Sequence, residues 1–165
     1  MLLHHSRRDA RVDDDGELVL LGDQDRTCWH ADEIAEGTAH VAAIRREGPY
    51  APQAAIAFEH VAQATDWRRV VGLYGRLAAL QPSPVVELNR AVAVAMAYGP
   101  EAGLRIIEDL NDERLASYHL LHAARADMLR RMGRAEAARE AYQRARELAA
   151  NAAERAFLER RLAEL

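Results

Sequence analysis

The residues of this chain that could do chemistry are few and scattered. Asp13, Asp15 and Gly16 have the spacing of the third, fifth and sixth positions of a calcium loop. The first and twelfth positions would be Arg11 and Gly22, where ligating carboxylates are required, so the cluster reads as an acidic turn. His119 and His122 lie three apart on one helical face, and His4 and His5 are adjacent. A zinc site needs a third or fourth ligand at readable spacing, and none follows; the glutamate of a zinc-protease helix is also missing. Ser6, Ser83 and Ser117 sit in no strand–turn–helix elbow, and Cys28 has no nearby basic pair to lower its thiol. Carboxylate pairs such as Glu33/Glu36 and Glu108/Asp109 fall on polar helix faces. The expectation is a protein that is not an enzyme and that takes no metal and no cofactor.

One polar cluster is denser than a plain loop requires: Gly22-Asp-Gln-Asp-Arg-Thr-Cys-Trp29. In one reading Asp25 and Thr27 cap the next helix, Arg26 pairs locally and Trp29 enters the core, since these residue types are what caps ask for. In the other, Asp25, Arg26 and Trp29 form a docking site for a partner segment.

The elements that would position such residues are helical. The chain has 165 residues, half of them apolar and 29% charged, which suits a soluble globular fold. Its 22 basic residues are all arginine and face 26 acidic ones, for a net charge of −4. A nucleic-acid binder usually carries a basic excess, so direct binding of DNA or RNA is not expected. The longest uncharged stretch, Gly48–Phe58, is far short of the ~20 apolar residues of a membrane span, and no secretion signal is visible. A single cysteine excludes an internal disulfide, and the expected location is the cytoplasm.

Residues 1–27 read as an N-terminal arm: a short helix within Leu2–Arg11, then a small hairpin or irregular segment turning at Asp15-Gly16. Residues 28–165 read as the helical domain. Trp29, Ile34, Val41 and Ile44 share a helical face ending at Gly48-Pro49, and a second helix covers about Ala51–Ala62. Thr65 is expected to cap a third, with Trp67, Val70, Val71, Tyr74 and Leu77 inward, and Gln81-Pro-Ser-Pro84 stops it. Pro84 opens a helix over Val85–Ala97 whose run Ala91-Val-Ala-Val-Ala-Met-Ala97 is apolar almost all round, which predicts a central position. Helices over 101–110, 115–132 and 135–149 follow, and Asn151 with Glu154 has capping-box spacing for a last one.

A repeat runs through this region. A shift of 35 places Gly103 on Ala138, Ile107 on Tyr142, Leu110 on Ala145, Ala91 on Ala126 and Val94 on Leu129. Val70, Tyr74, Leu77 and Pro82 fit the second half of an earlier unit. Small residues where helices touch, a turn glycine, then an aromatic and another small residue make the tetratricopeptide pattern. The expected fold is all-α, a tetratricopeptide-like array of stacked helix pairs behind a short irregular arm. In such an array the first helix of each pair lines the concave face, which here exposes Asn89 and Val92 from one unit and Asp127, Arg130 and Arg131 from the next. These could equally be an ordinary solvated face.

Several longer runs come in a distinctive order: Leu2-Leu-His-His-Ser-Arg-Arg-Asp-Ala-Arg11, Asp23-Gln-Asp-Arg26 with Trp29, Gly48-Pro-Tyr50 with Gln53-Ala-Ala-Ile56, and Thr65-Asp-Trp67. Ser83-Pro-Val-Val-Glu-Leu-Asn-Arg-Ala-Val-Ala-Val94, His119-Leu-Leu-His-Ala-Ala-Arg-Ala-Asp127 and Asn151-Ala-Ala-Glu-Arg-Ala-Phe-Leu158 complete it. Along essentially its whole length the chain resembles the C-terminal tetratricopeptide-like extension of a bacterial subgroup of extracytoplasmic-function sigma factors. The promoter-reading domains of that family have no counterpart here, and Phe58–Thr65 is a few residues shorter than the family's spacing. The resemblance implies a role in transcription initiation, with core RNA polymerase or the sigma factor's own DNA-binding domains as the partner. A free-standing tetratricopeptide adaptor would share this fold. A small-molecule sensor would instead need a pocket of several hundred cubic ångströms near Trp67, Tyr74 and the histidines.

Overall fold

The computed structural model of the chain describes residues 1–14, 16–46, 48–110 and 113–165. Among these it contains nine α-helices and a single isolated antiparallel bridge, so the fold is all-α. The chain divides into two compact units, Met1–Gln81 and Pro82–Leu165.

The first unit begins with α1 (Leu2–His5) and a 3-10 turn over Arg8–Ala10. Val12 bridges Leu18 across a turn where Gly16 takes φ +78°, a backbone that side-chained residues rarely adopt. Asp13 Oδ1 accepts a hydrogen bond from the Glu17 amide at 2.8 Å, the pattern of a local turn; Asp15 lies outside the described residues. A second 3-10 turn, Arg26–Cys28, leads into α2 (Ala31–Ala42), α3 (Tyr50–Val61) and α4 (Trp67–Leu80). Trp29 therefore stands before α2 and not on it. The boundary expected after residue 27 falls inside one packed unit, because Leu3 and Ala10 of the arm share a core with Trp29, Ala57 and Val61. Gly37 makes this packing possible: a β-carbon there would stand 2.6 Å from Leu3 Cδ2.

Two capping expectations are corrected. Thr27 caps nothing; it donates its own amide and hydroxyl to Asp25 Oδ1, both at 2.8 Å, so Asp25 is the cap and it caps the 3-10 turn. Asp66, not Thr65, caps α4 by accepting the Arg69 amide at 3.0 Å. A carboxylate is at least as good an acceptor as a hydroxyl for the orphan amides of a first turn, so neighbouring candidates compete and one wins.

The second unit holds the repeat. Helices α5 (Pro84–Tyr98) and α6 (Pro100–Asp109) form one antiparallel pair, α7 (His119–Arg131) and α8 (Ala135–Leu148) the next. Each helix of the second pair starts 35 residues after its counterpart, Pro84 to His119 and Pro100 to Ala135, which is the register read from the sequence. Consecutive helices pack on one another, and α9 (Ala152–Ala163) covers α8. Leu88, Ala91, Ala95, Leu104, Ile107, Ala126, Leu129, Ala138, Tyr142 and Ala145 make the core.

Two details show how local sequence sets this packing. Gly133, at φ +74°, ends α7 with the amide of Arg134 bonded to Leu129 O and its own amide to Arg130 O, the paired bonds of a Schellman motif. Asn151 Oδ1 accepts the Glu154 amide at 2.8 Å and starts α9 as its spacing predicts. The central position expected for α5 needs correction. Leu88, Ala91, Ala93, Val94 and Ala95 are buried, but Val85, Val92 and Met96 are 37–45% exposed. An all-apolar helix has no polar face to mark its outer side, so composition overstates its burial.

Candidate interaction face

The exposed side of α5 is a stripe: Val85, Asn89, Val92 and Met96, spaced four, three and four residues apart along one helical face. The same register on α7 gives Leu120, Ala124, Asp127 and Arg131, and α5 packs beside α7. Leu120 is 46% exposed. The two stripes belong to the first helices of successive pairs, so the repeat itself sets them side by side. An apolar stripe of this kind at a surface marks a contact site more often than a scattered leucine does.

Asn89, Val92, Asp127 and Arg131 thus lie where the repeat register expects them. The arginines are less free than the sequence suggests. Arg131 donates to Ala95 O at 3.2 Å and meets Met96 Sδ at 3.6 Å, tying α7 to α5. Arg130 turns inward, donating to Asp127 Oδ1 at 2.7 Å, and bonds the buried Tyr142. The bond that Arg130 donates to Asp127 raises its guanidinium above the ordinary value, while burial and the Asp127 charge push the Tyr142 phenol up. Arg130 is a brace between α7 and α8 more than a contact residue.

The second candidate patch is also engaged internally. The Arg26 guanidinium lies 4.3 Å from the Trp29 ring centroid and donates to the carbonyls of Val61 (2.9 Å), Ala62 and Gln63 (3.0 Å). It therefore satisfies the orphan carbonyls at the end of α3, a tertiary cap that no local pattern foretells. Trp29 is 8% exposed with Arg7 on its ring at 5.7 Å. Asp25 is occupied by Thr27.

Around these residues the N-terminal motif forms a charged network that sequence reasoning missed. Arg8 Nη1 donates to Glu33 Oε1 at 2.8 Å, His5 Nδ1 stands 3.1 Å from Glu33 Oε2, and His30 Nε2 meets Asp9 Oδ2 at 2.6 Å. The His30 bond, with Arg8 nearby, holds the Asp9 carboxyl below the usual range. Partial desolvation pushes the Glu33 carboxyl up, but bonds from His5 and Arg8 bring it below its ordinary value. The result pins α1 to the start of α2. His119 faces Glu154 at 3.4 Å and His122 bonds Ala116 O, and no group of three or more metal-ligating side chains occurs among the described residues. A cavity of about 270 Å³ lies between the end of α2, α3 and α4, lined by Ile44, Ala55 and Leu73 among others but not by Trp67 or Tyr74.

Residues 1–45 match a family of unknown function (DUF6596), a span that takes in this network and all of α2. The chain is 47% identical over 169 residues to the uncharacterized protein R00370 of Rhizobium meliloti (strain 1021); the match covers 98% of the chain and 40% of that protein. The chain thus spans about two fifths of the length of the curated relative it matches. No solved structure matches it. No helix among the described residues is long and apolar enough to cross a membrane.

Proposed function

We propose that this chain is the interaction domain of a larger transcription regulator of the extracytoplasmic-function sigma type, and that it docks on core RNA polymerase or on the sigma factor's DNA-binding domains. The observation that carries the reading is the exposed stripe of Val85, Val92 and Met96 beside Leu120, on a repeat-built array. Stacked helix pairs commonly use such a face to hold a partner segment, and an apolar stripe supplies the anchor positions that a partner helix needs. The motif order of the whole chain supports the sigma-factor context, and a relative much longer than the match leaves room there for further domains. The net charge of −4 suits a protein partner better than nucleic acid.

The test is binding of the purified chain to core RNA polymerase and, separately, to the sigma domains as a fragment. Saturable binding to either, lost in Val92→Glu and Leu120→Glu while the helical content is unchanged, is the expected result. Absence of binding to both at tens of micromolar overturns the reading. Binding that survives both substitutions moves the contact off this face.

A further inference from the structure

Arg7 and Glu59 are the charged side chains buried among the described residues, and only Glu59 has a counter-charge, Arg69 Nε at 3.2 Å. Arg7, between α1 and the first 3-10 turn, is 8% exposed and forms no ion pair among the described residues. Its Nη1 donates to the neutral Gln24 Oε1 at 3.3 Å, and Gln24 is itself fixed by donating Nε2 to Val19 O at 3.2 Å. Arg7 Nε is buried with no acceptor, and Nη2 donates to nothing among the described residues. The indole Nε1–H of Trp29 is a second buried donor with no acceptor, on a ring whose centroid lies 5.7 Å from the guanidinium carbon of Arg7. The remaining neighbours add positive charge. After burial, Arg11 lowers the Arg7 guanidinium further, and after burial Arg7 and His4 lower His60 further. A buried charge is costly to leave unpaired, so a group of this kind ordinarily has an opposite charge beside it.

We propose that the free edge of Arg7, Nε with Nη2, binds a carboxylate, with the Trp29 indole N–H as a further donor. The planar guanidinium decides the class. Nε–H and one Nη2–H leave the same edge side by side, and that edge matches the two oxygens of a carboxylate bidentately. Gln24 takes the other nitrogen, Nη1, so its bond orients the fork and leaves it free. A neutral amide could accept from the same donors but would leave the charge unpaired, and a cation would be repelled. Arg7 and Trp29 are each 8% exposed, so what they hold is small: the carboxylate of a short acid or the end of an acidic side chain. The site lies within the first unit and apart from the α5–α7 face, so the two readings can fail separately.

The experiment is a titration of the full chain with sodium acetate near neutral pH, where acetate is ionised, at an ionic strength held constant with chloride. The side-chain N–H signals of Arg7 Nε and of both indoles are followed by nitrogen–proton correlation, and Trp67 is the internal control. Saturable downfield shifts of Arg7 Nε–H and Trp29 Nε1–H are expected, with Trp67 unmoved and with no response to the neutral isostere acetamide. Arg7→Lys keeps the charge and removes the fork, and is expected to weaken acetate about tenfold. Gln24→Glu leaves Arg7 in place and supplies an internal counter-charge, so it is expected to weaken acetate by a similar factor. Tighter binding of N-acetylglutamate amide than of acetate assigns the carboxylate to an acidic side chain of a polypeptide; the reverse order assigns it to a free short acid. Three results overturn the proposal: no saturable shift with folded protein at tens of millimolar acetate, an equal response to acetamide, or affinity unchanged in both variants.

Discussion

Replacing Gly103 by alanine tests the helix-pair packing directly, because two opposing effects of known size meet at one atom. Gly103 sits in α6, where alanine is the better helix former by about 0.8–1.0 kcal/mol. A β-carbon there would stand 2.6 Å from Ala91 O, 2.6 Å from Ala95 Cβ and 3.0 Å from Met128 Cε. The methionine methyl can swing aside. The Ala91 carbonyl cannot, since it belongs to the backbone of α5, and restoring an ordinary contact would part α5 from α6 by the better part of an ångström. Overpacking of this kind costs typically 1–3 kcal/mol, and with two of three contacts unyielding the upper half applies. The net expectation is a loss of about 1–2 kcal/mol. Native-state hydrogen exchange reads it locally: protection of the α5 and α6 amides should fall roughly 5- to 30-fold. The control is Gly75→Ala on α4, where nothing lies within 4 Å of the new methyl, and which should stabilise by about 0.5–1 kcal/mol. Unchanged or raised protection in Gly103→Ala would refute the close approach of α5 and α6.

Two further predictions concern the first unit, which holds both tryptophans and can be followed by their fluorescence in urea. Arg26→Ala removes three bonds to the end of α3 and the stack on Trp29, and is expected to cost about 2–3 kcal/mol; Arg26→Lys should recover less than half, because one ammonium cannot fork across three carbonyls. A loss below about 0.5 kcal/mol would contradict the tertiary cap. Burial, then the neighbouring Arg7 and His4 cations, push His60 down to about 4 from 6.5. Between those values the unfolded chain binds the proton and the folded one does not, so stability is full above pH 6.5 and declines as pH falls toward 4. Screening at a half-buried ring limits the effect to about 1–2 kcal/mol, and His60→Gln should flatten the profile over that window. An unaltered profile in the variant would assign the acid sensitivity elsewhere.

What the sequence discloses here depends on whether the signal is periodic. The register of 35 is written in small residues, Gly103 and Ala138, Ala91 and Ala126, and the helix starts at Pro84 and His119 reproduce it. The breaker Gln81-Pro-Ser-Pro84 marks the division between the two units, yet by itself a breaker says only that a helix stops. The arm was illegible for a different reason. Arg26 caps a helix end 35 residues away, Arg8 and His30 join segments separated by 22, and nothing local announces either partnership. Thr65 and Asp66 are adjacent acceptors of similar merit, and only the backbone decides between them.

The register also decides how the interaction face can be probed. Position by position, Val85 corresponds to Leu120, Asn89 to Ala124, Val92 to Asp127 and Met96 to Arg131. The stripe is apolar on α5 but for Asn89 and turns charged along α7, and those charges are already occupied: Arg131 holds Ala95 O, and Asp127 holds Arg130 against Tyr142. Reversing Arg130 or Arg131 would therefore unfasten α7 from its neighbours. A lost partner would then say nothing about contact. Val85, Val92 and Leu120 make few demands on the fold, since a third or more of each is open to solvent. A glutamate at one of them costs little stability, whereas in a buried interface it leaves a charge unpaired. Binding lost at these three positions, and retained when exposed polar positions on α8 are changed, is a pattern that contact through the α5–α7 face predicts and loss of folding does not.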